Sequence, residues 1–190
     1  TSDGEPVGDF CSWFGVYCGF PNPGGGLIDQ DDMFFQNSTV YELSLPSVGI
    51  TGTIPASLHY MSYLVTLNLE DNHMHGTLPE ELIALSKINS VNIGQNKFTG
   101  GIPSYNSWIN LQVLDGSHNQ FNSSFPAQLG DLHLLNTISL SNNNFTGSVP
   151  AQLCNDTGLN TLDISFNPYV TCYANCLESV PHLINVQKVN

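Results

Sequence analysis

Two groups of side chains in this 190-residue sequence are of types that could do chemistry. Asp115, Ser117 and His118 carry the functional groups of a nucleophilic hydrolase, and His73-Met-His75 carries two imidazoles that could ligate a metal. A catalytic triad needs convergent side chains, whereas neighbouring residues on one strand point to opposite faces. The histidine pair is predicted to lie at a surface turn, with no third ligand in view. We therefore expect no catalytic residue, no cofactor and no metal site, and we predict that the chain is not an enzyme.

An acidic segment is a further candidate for metal chemistry. Asp29-Gln-Asp31-Asp32 lies in a Gly/Pro-rich stretch, residues 19–38, and carboxylate oxygens of this kind can hold calcium. The segment lacks the full D-x-D-x-D-G-x5-E calcium-binding loop. We therefore interpret it as a solvated acidic loop.

The charge balance excludes several classes of partner. The chain has 16 acidic residues against three lysines, no arginine, and a net charge of -13. Such a chain repels phosphate backbones and anionic lipid surfaces, so no nucleic-acid partner is expected. No apolar run reaches the roughly 18 residues of a membrane span, so none is predicted. The chain starts at Thr1 without an apolar leader, which we interpret as a mature chain after signal-peptide removal.

Cysteines and glycosylation sequons favour an extracellular location. The cysteines cluster at the two ends of the chain, as disulfide staples do in secreted proteins. They are Cys11, Cys18, Cys154, Cys172 and Cys176. Asn-x-Ser/Thr sequons are acceptors for N-linked glycans. They begin at Asn37, Asn122, Asn144 and Asn155. We therefore predict a secreted glycoprotein.

A repeat of about 24 residues organises the chain. Five prolines recur at spacings of 24, 24, 23 and 24 residues, at Pro55, Pro79, Pro103, Pro126 and Pro150. Upstream of them lies an apolar frame whose last two positions flank one polar residue, typical of a short strand with one buried face. The frame reads Val40, Leu43, Leu45; Leu64, Leu67, Leu69; Ile88, Val91, Ile93; Leu111, Leu114, Gly116; Leu135, Ile138, Leu140; and Leu159, Leu162, Ile164.

Two further columns follow the frame. The first is asparagine in every coil but one, where Val48 stands: Asn72, Asn96, Asn119, Asn143 and Asn167. We expect these amides to be buried and to bond to the backbone of neighbouring coils. The second column is apolar: Ile50, Met74, Phe98, Phe121, Phe145 and Tyr169. We expect its aromatic rings to stack inside the solenoid. Leu183 and Val186 fall where a seventh, terminal strand would continue the frame.

The pattern L-x-x-L-x-L-x-x-N-x-[apolar]-x-G-x-[IVL]-P resembles the plant-type extracellular leucine-rich repeats, which include polygalacturonase inhibitors and receptor ectodomains. The resemblance implies an α/β repeat fold: a right-handed, curved solenoid with a parallel β-sheet on its concave face and disulfide caps. Residues 1–38 would form the N-terminal cap with its Gly/Pro/Asp-rich insert. Residues 39–177 would form six coils, and residues 178–190 a C-terminal cap.

The resemblance extends to the cysteine motifs at both ends. Residues 11–18, C-S-W-F-G-V-Y-C, match the plant-type cap C-x-W-x-G-V-x-C, which implies a Cys11–Cys18 disulfide and a packing role for Trp13. Residues 153–155 and 175–177 resemble a cysteine pair in adjacent coils of plant receptor-like proteins, which implies a Cys154–Cys176 disulfide. A Cys172–Cys176 link is the alternative. On the first pairing, Cys172 is left as a free thiol or for an intermolecular bond.

The residues between the buried strand positions would line the concave face, which is small, polar and mildly acidic. We predict that they bind an extracellular protein, a peptide or a glycan. They are Glu42, Ser44, Thr66, Asn68, Glu70, Asp71, Asn92, Gln95, Asp115, His118, Asn142 and Asp163.

Two other functions stay open from the sequence. The near-terminal last strand and the spare Cys172 favour a structural protein that self-associates into a filament, wall or surface coat. Threonine and serine columns beside the repeated glycines could match an ice or mineral lattice. His75, Gly101 and Asn122 interrupt those columns, and a glycan on Asn122 would block the surface, so ice or mineral binding is the minor alternative.

Overall fold

The computed structural model describes residues 15–19, 39–104, 106–155 and 158–173, and these residues form stacked coils of one solenoid. We number its strands β1 to β13 in chain order. One seven-stranded sheet runs through the stack. In spatial order it consists of β1 (Val16–Gly19), β2 (Thr39–Ser44), β4 (Thr66–Asn68), β6 (Ser90–Asn92), β8 (Val113–Asp115), β10 (Thr137–Ser139) and β12 (Thr161–Asp163).

The six repeat strands of this sheet are parallel and in register. Leu67 pairs with Leu43 on one side and with Val91 on the other, so equivalent frame residues stack directly on each other. β1 is the exception, because it pairs antiparallel with β2 and closes the N-terminal edge. The repeat period therefore sets the register, as the apolar frame predicts.

A second set of strands forms what we call the lateral face. β3 (Thr51–Gly52), β5 (His73–Gly76), β7 (Lys97–Gly100) and β9 (Gln120–Phe121) form one parallel sheet. β11 (Thr146–Val149) and β13 (Tyr169–Tyr173) form another, which a bridge between Ser124 and Thr146 connects to the preceding coil. The predicted turn at His73 and His75 is wrong, because both residues belong to β5.

The third side of the coils consists of short 3₁₀ helices, each beginning directly after a repeated proline. They span Ala56–Tyr60, Glu80–Ala84, Ala127–Asp131 and Ala151–Asn155. The coil after Pro103 is one residue shorter and has turns at this place. There Trp108 is 3% exposed and donates its indole N–H to the carbonyl oxygen of Leu82 over 3.0 Å. An aromatic side chain thus fills the core where the helix is missing.

The core holds a stack of phenylalanines, as the apolar column predicts. Phe121 lies between Phe98 and Phe145, with ring centroids 6.4 and 5.6 Å away and nearly parallel planes. The expectation for the sixth position is wrong. Tyr169 is 58% exposed, and Val170 is buried instead. The register of the last lateral pair differs by one residue from that of the pair before it. Thr99 lies opposite Gln120, one residue after Asn119, whereas the equivalent Thr146 lies opposite Tyr169, two residues after Asn167.

The asparagine column is bonded as predicted, and its members are buried except for Asn119, which is half-buried. The Oδ1 atom of Asn96 accepts the backbone N–H of Met74 at 3.0 Å, while its Nδ2 donates to carbonyl oxygens of its own and the preceding coil. Asn72, Asn119, Asn143 and Asn167 repeat this arrangement. Each amide satisfies an N–H that no strand ladder reaches.

Several sequence predictions lie outside the described residues. These are Cys11, Trp13, Asn37, the acidic segment at residues 29–32, Cys176 and the terminal strand at Leu183 and Val186. The side chains of Cys18, Cys154, Asn155 and Cys172 also lie outside the description. The disulfide pairings and the domain bounds therefore stay predictions. Within the described ranges, no helix is long and apolar enough to cross a membrane.

Candidate ligand-binding surface

Five strands of the large sheet, β4, β6, β8, β10 and β12, each present two outward residues on either side of a buried one. Thr66 and Asn68 flank buried Leu67 in β4, and the same pattern recurs in the later coils. The predicted ligand-binding residues thus share one surface, the concave face. Glu42, Ser44, Thr66, Asn68, Asn92, Asp115 and Asp163 lie on the strands, and Glu70, Asp71, Gln95, His118 and Asn142 follow them. With strands about 4.8 Å apart, six coils give this face a length of about 24 Å.

A column of left-handed residues borders this face. Ser47, Asp71, Gln95, His118, Asn142 and Phe166 all have φ between 52° and 55°. Non-glycine residues rarely adopt this conformation, and a bulky one such as Phe166 pays a steric cost for it. Sequence reasoning missed the feature, because the column has no common residue type. Its signal is indirect: the position recurs one residue before the buried asparagine.

Four of the predicted ligand-binding residues make a bond within their own coil. The Oδ1 atoms of Asn68, Asn92 and Asp115 accept the backbone N–H two residues further on, at 3.1, 3.1 and 2.9 Å. Asp163 does the same toward the N–H of Ser165 at 3.0 Å. This is the local bond that Asn and Asp make at turns, and it ends the strand. In each of these side chains, one oxygen is therefore already occupied by a hydrogen bond to the backbone.

The Glu70 carboxylate is held by two amides of the next coil. Asn92 donates its Nδ2–H to Oε2 at 2.9 Å, and Gln95 donates its Nε2–H to Oε1 at 2.9 Å. Both amides are neutral, so the negative charge of Glu70 stays uncompensated by any described ion pair. The three residues form a preorganised, partly buried anionic position near the N-terminal end of the concave face.

Two further contacts join left-handed residues of adjacent coils. The Ser47 hydroxyl donates to Oδ2 of Asp71 at 2.7 Å, and Asn142 Nδ2 lies 3.3 Å from His118 Nε2. Ser47, Asp71 and His118 are exposed. We call the left-handed column the rim of the concave face. The two contacts order polar side chains along this rim and leave them accessible to solvent.

The electrostatic character of the concave face is anionic. Glu42, Glu70, Asp71, Asp115 and Asp163 lie on it, and no described lysine does. The two described lysines lie elsewhere: Lys87 follows the helix Glu80–Ala84, and Lys97 begins β7 on the lateral face. A face about 24 Å long with one sign of charge attracts cationic partners.

Asp115, Ser117 and His118 do not form a catalytic triad in the structure. Asp115 Oδ1 accepts the backbone N–H of Ser117, Ser117 is 9% exposed, and His118 contacts Asn142 instead of either. In a catalytic triad, one imidazole nitrogen is hydrogen-bonded to a hydroxyl group and the other to a carboxylate. Across the described residues, no group of three or more His, Cys, Asp or Glu residues could hold a metal.

The sequons within the described residues lie away from the concave strands. Asn122 follows β9 and Asn144 precedes β11, and both side chains are exposed. Asn122 Oδ1 accepts the backbone N–H of Gly100 at 3.0 Å, which leaves its Nδ2 outward. Glycans at either site would project from the lateral side and leave the concave face open.

Comparisons with known proteins agree with this architecture. The Leucine Rich Repeat family profile matches residues 63–85 and 134–155. No curated protein sequence matches the chain significantly. The leucine-rich-repeat ectodomain of the receptor kinase SOBIR1 from Arabidopsis thaliana is 27% identical, with a TM-score of 0.74 over 86% of this chain and 87% of that one.

Two other solved structures are similar over part of their length. The plant peptide hormone receptor RGFR1, in complex with RGF2, is 31% identical with a TM-score of 0.62, over 64% of this chain and 20% of the receptor. A plant ice-binding protein is 26% identical with a TM-score of 0.70, over 84% of this chain and 47% of that one. The chain thus spans about a fifth of the one and about half of the other.

Proposed function

We propose that this chain, a leucine-rich-repeat solenoid similar to plant receptor ectodomains, is a secreted, non-catalytic recognition module. Its ligand is a basic peptide, or a basic extended segment of a protein, lying along the concave face. A neutral glycan is the alternative ligand on the same face. The observation that carries the proposal is the Glu70 carboxylate, held in place by Asn92 and Gln95 with no described counter-ion.

The held carboxylate favours a cationic ligand for two reasons. Its two amide partners fix its position before binding, so little side-chain entropy is lost when a guanidinium or ammonium group arrives. Its partial burial makes a charge-assisted hydrogen bond stronger than one at a fully exposed site. The remaining acidic residues of the face add a long-range attraction that raises the association rate.

The dimensions of the face suit an extended peptide. A chain extends by at most about 3.3–3.6 Å per residue, so about seven residues span the roughly 24 Å between the first and last strands. At the C-terminal end of the rim, Phe166 is 62% exposed and offers an aromatic surface for an apolar side chain of the ligand. The relatives are consistent with this use: RGFR1 was solved in complex with RGF2.

The proposal is tested by titrating the full chain with three nine-residue peptides of equal length that are rich in arginine, neutral, or rich in glutamate. We expect saturable binding of the arginine-rich peptide alone. Glu70→Gln should weaken that binding by at least about tenfold, since one charge-assisted bond is worth roughly 1.5–3 kcal/mol and tenfold corresponds to about 1.4 kcal/mol. Glu81→Gln, an exposed change on the helix Glu80–Ala84, is the matched control and should leave affinity unchanged.

Equal loss in both variants would mean that net charge alone is responsible. Binding of all three peptides alike, or of none, would contradict a peptide-specific face. Saturable binding of an oligosaccharide in place of the arginine-rich peptide would favour the glycan alternative.

Ice binding is the second candidate function, on the lateral face. Thr51 lies in β3, Thr53 and Thr77 directly follow β3 and β5, and all three are exposed. A plant ice-binding protein is similar in structure. In this chain the positions equivalent to Thr51 and Thr53 in later coils include His75, Gly101 and Asn122, which break the regular spacing. The measurement is thermal hysteresis of the glycosylated protein. Hysteresis that Thr53→Leu abolishes would favour this function over peptide recognition.

A further inference from the structure

The lateral face carries a pair of histidines that the concave face and the proposed recognition role do not use. Strand β5 alternates exposed His73, buried Met74 and exposed His75. Residues two apart on a strand project from the same side and lie about 6.6 Å apart along it. Both imidazole rings therefore point into solvent from one face, side by side.

Neither histidine is required by the repeat. At the position of His73 the following coils have Lys97, Gln120 and Asn144. At the position of His75 they have Thr99, Asn122 and Thr146. The side chains at these positions are largely exposed, so core packing does not select their type. Only the coil that contains β5 carries a histidine at both positions.

The imidazole nitrogens are available for a ligand. In the described part of the chain, no hydrogen bond or ion pair involves the ring of His73 or His75. Their register partners are Thr51 in β3 and Lys97 in β7. Of these two partners only Lys97 is charged. The chain as a whole carries a net charge of -13, which favours the approach of a cation.

We propose that His73 and His75 chelate one divalent transition-metal ion on the lateral face. Imidazole is a preferred ligand of Cu²⁺, Ni²⁺ and Zn²⁺, and among these the affinity of a nitrogen site is highest for Cu²⁺. Two protein ligands leave coordination positions that water fills, or that a side chain from a second molecule can take. The site is thus an open surface chelate and not a closed structural site.

The test is titration of the full chain with Cu²⁺ by calorimetry, with electron paramagnetic resonance of the bound ion. We expect one saturable site per chain and nitrogen splitting from two imidazoles. His73→Gln and His75→Gln should each weaken binding by about tenfold or more, an amount that corresponds to about 1.4 kcal/mol. His133→Gln, at an exposed position after the helix Ala127–Asp131, is the control and should have no effect.

A charge variant provides a second, independent readout. Lys97→Gln removes the one neighbouring positive charge, so it should tighten Cu²⁺ binding several-fold. Since the replaced side chains are exposed, thermal unfolding of all variants should match that of the parent chain. Undiminished binding in the H73Q/H75Q double variant, splitting from a single imidazole, or an equal loss in H133Q would overturn the proposal.

Discussion

The side-chain amide of Asn96 donates a hydrogen bond to the carbonyl oxygen of Leu69, 27 residues earlier in the chain, over 2.9 Å. Its Oδ1 atom accepts the backbone N–H of Met74 in that same earlier coil, at 3.0 Å. One buried side chain thus ties two coils together at two points. Because Asn72 also donates to Leu69, the N–H of Met74 is the group that depends on Asn96 most directly.

Replacing Asn96 should therefore destabilise the solenoid. In Asn96→Ala the N–H of Met74 stays buried without a partner, which costs about 1–3 kcal/mol of unfolding free energy. Chemical denaturation measures the loss. Asn160→Ala, at an exposed position, is the matched control and should change stability by no more than about 0.5 kcal/mol. Equal effects of the two changes would contradict the bonding role of Asn96.

Restoring the repeat leucine at Gly116 should destabilise the chain, although the repeat pattern favours it. A Cβ atom at this position would lie 3.1 Å from a Leu140 methyl group and 3.3 Å from the Phe121 ring, so the space is already filled. We expect Gly116→Leu to cost about 1–3 kcal/mol through overpacking. Ile93→Leu, a volume-conserving change at the equivalent frame position one coil earlier, should cost less than about 1.5 kcal/mol. A Gly116→Leu variant as stable as the parent would show that the core can adjust.

Two glycines with the same backbone conformation should differ in their tolerance of alanine. Gly76 and Gly147 have φ of 83° and 80°. A Cβ atom at Gly76 would lie 2.8 Å from the Thr53 methyl carbon, whereas one at Gly147 would have nothing within 4 Å. Gly147→Ala should cost about 1 kcal/mol, from the backbone alone. Gly76→Ala should cost at least about 1 kcal/mol more, and Thr53→Ser should recover that excess in the double variant because it removes the methyl group.

The left-handed column predicts a dependence on side-chain shape at Gln95, whose φ is 54°. A β-branched side chain is disfavoured in this conformation, whereas asparagine tolerates it. Gln95→Val should therefore destabilise the chain by about 1–2 kcal/mol relative to Gln95→Asn. Both variants lose the hydrogen bond to Glu70, so their comparison isolates the backbone effect. Thermal unfolding in parallel checks it, and identical midpoints would argue against strain at this position.

Peptide binding to the concave face should depend on salt. The attraction comes from charges spread over about 24 Å, and the screening length falls from about 10 Å at 0.1 M to about 3 Å at 1 M. We expect the association rate of the arginine-rich peptide to fall steeply over this range, with a smaller change in its dissociation rate. Stopped-flow fluorescence measures both. An association rate that is insensitive to salt would contradict electrostatic steering by this face.

The sequence accounts for much of the candidate surface but not for how its side chains behave. The apolar frame identifies Thr66 and Asn68 as outward-facing, because a strand alternates its faces. It does not reveal that Asn68 binds its own backbone, or that Asn92 and Gln95 hold Glu70. Those bonds join residues about a coil apart or depend on a local turn, and no residue spacing distinguishes them from a fully solvated surface.

The repeat period, the buried columns and the register were determined by the sequence alone. A stack of coils is stable only when the apolar residue at each repeat position packs against the equivalent residue of the next coil. The exceptions needed the tertiary structure. Val170 replaces Tyr169 in the core where the register of the last lateral pair differs by one residue from that of the pair before it, and Gly116 replaces a leucine because Phe121 and Leu140 already fill its space. His73 and His75 project from the same face because the residues from His73 to Gly76 form the strand β5. Each outcome depends on what the neighbouring coil supplies, and that contact exists only in the folded stack.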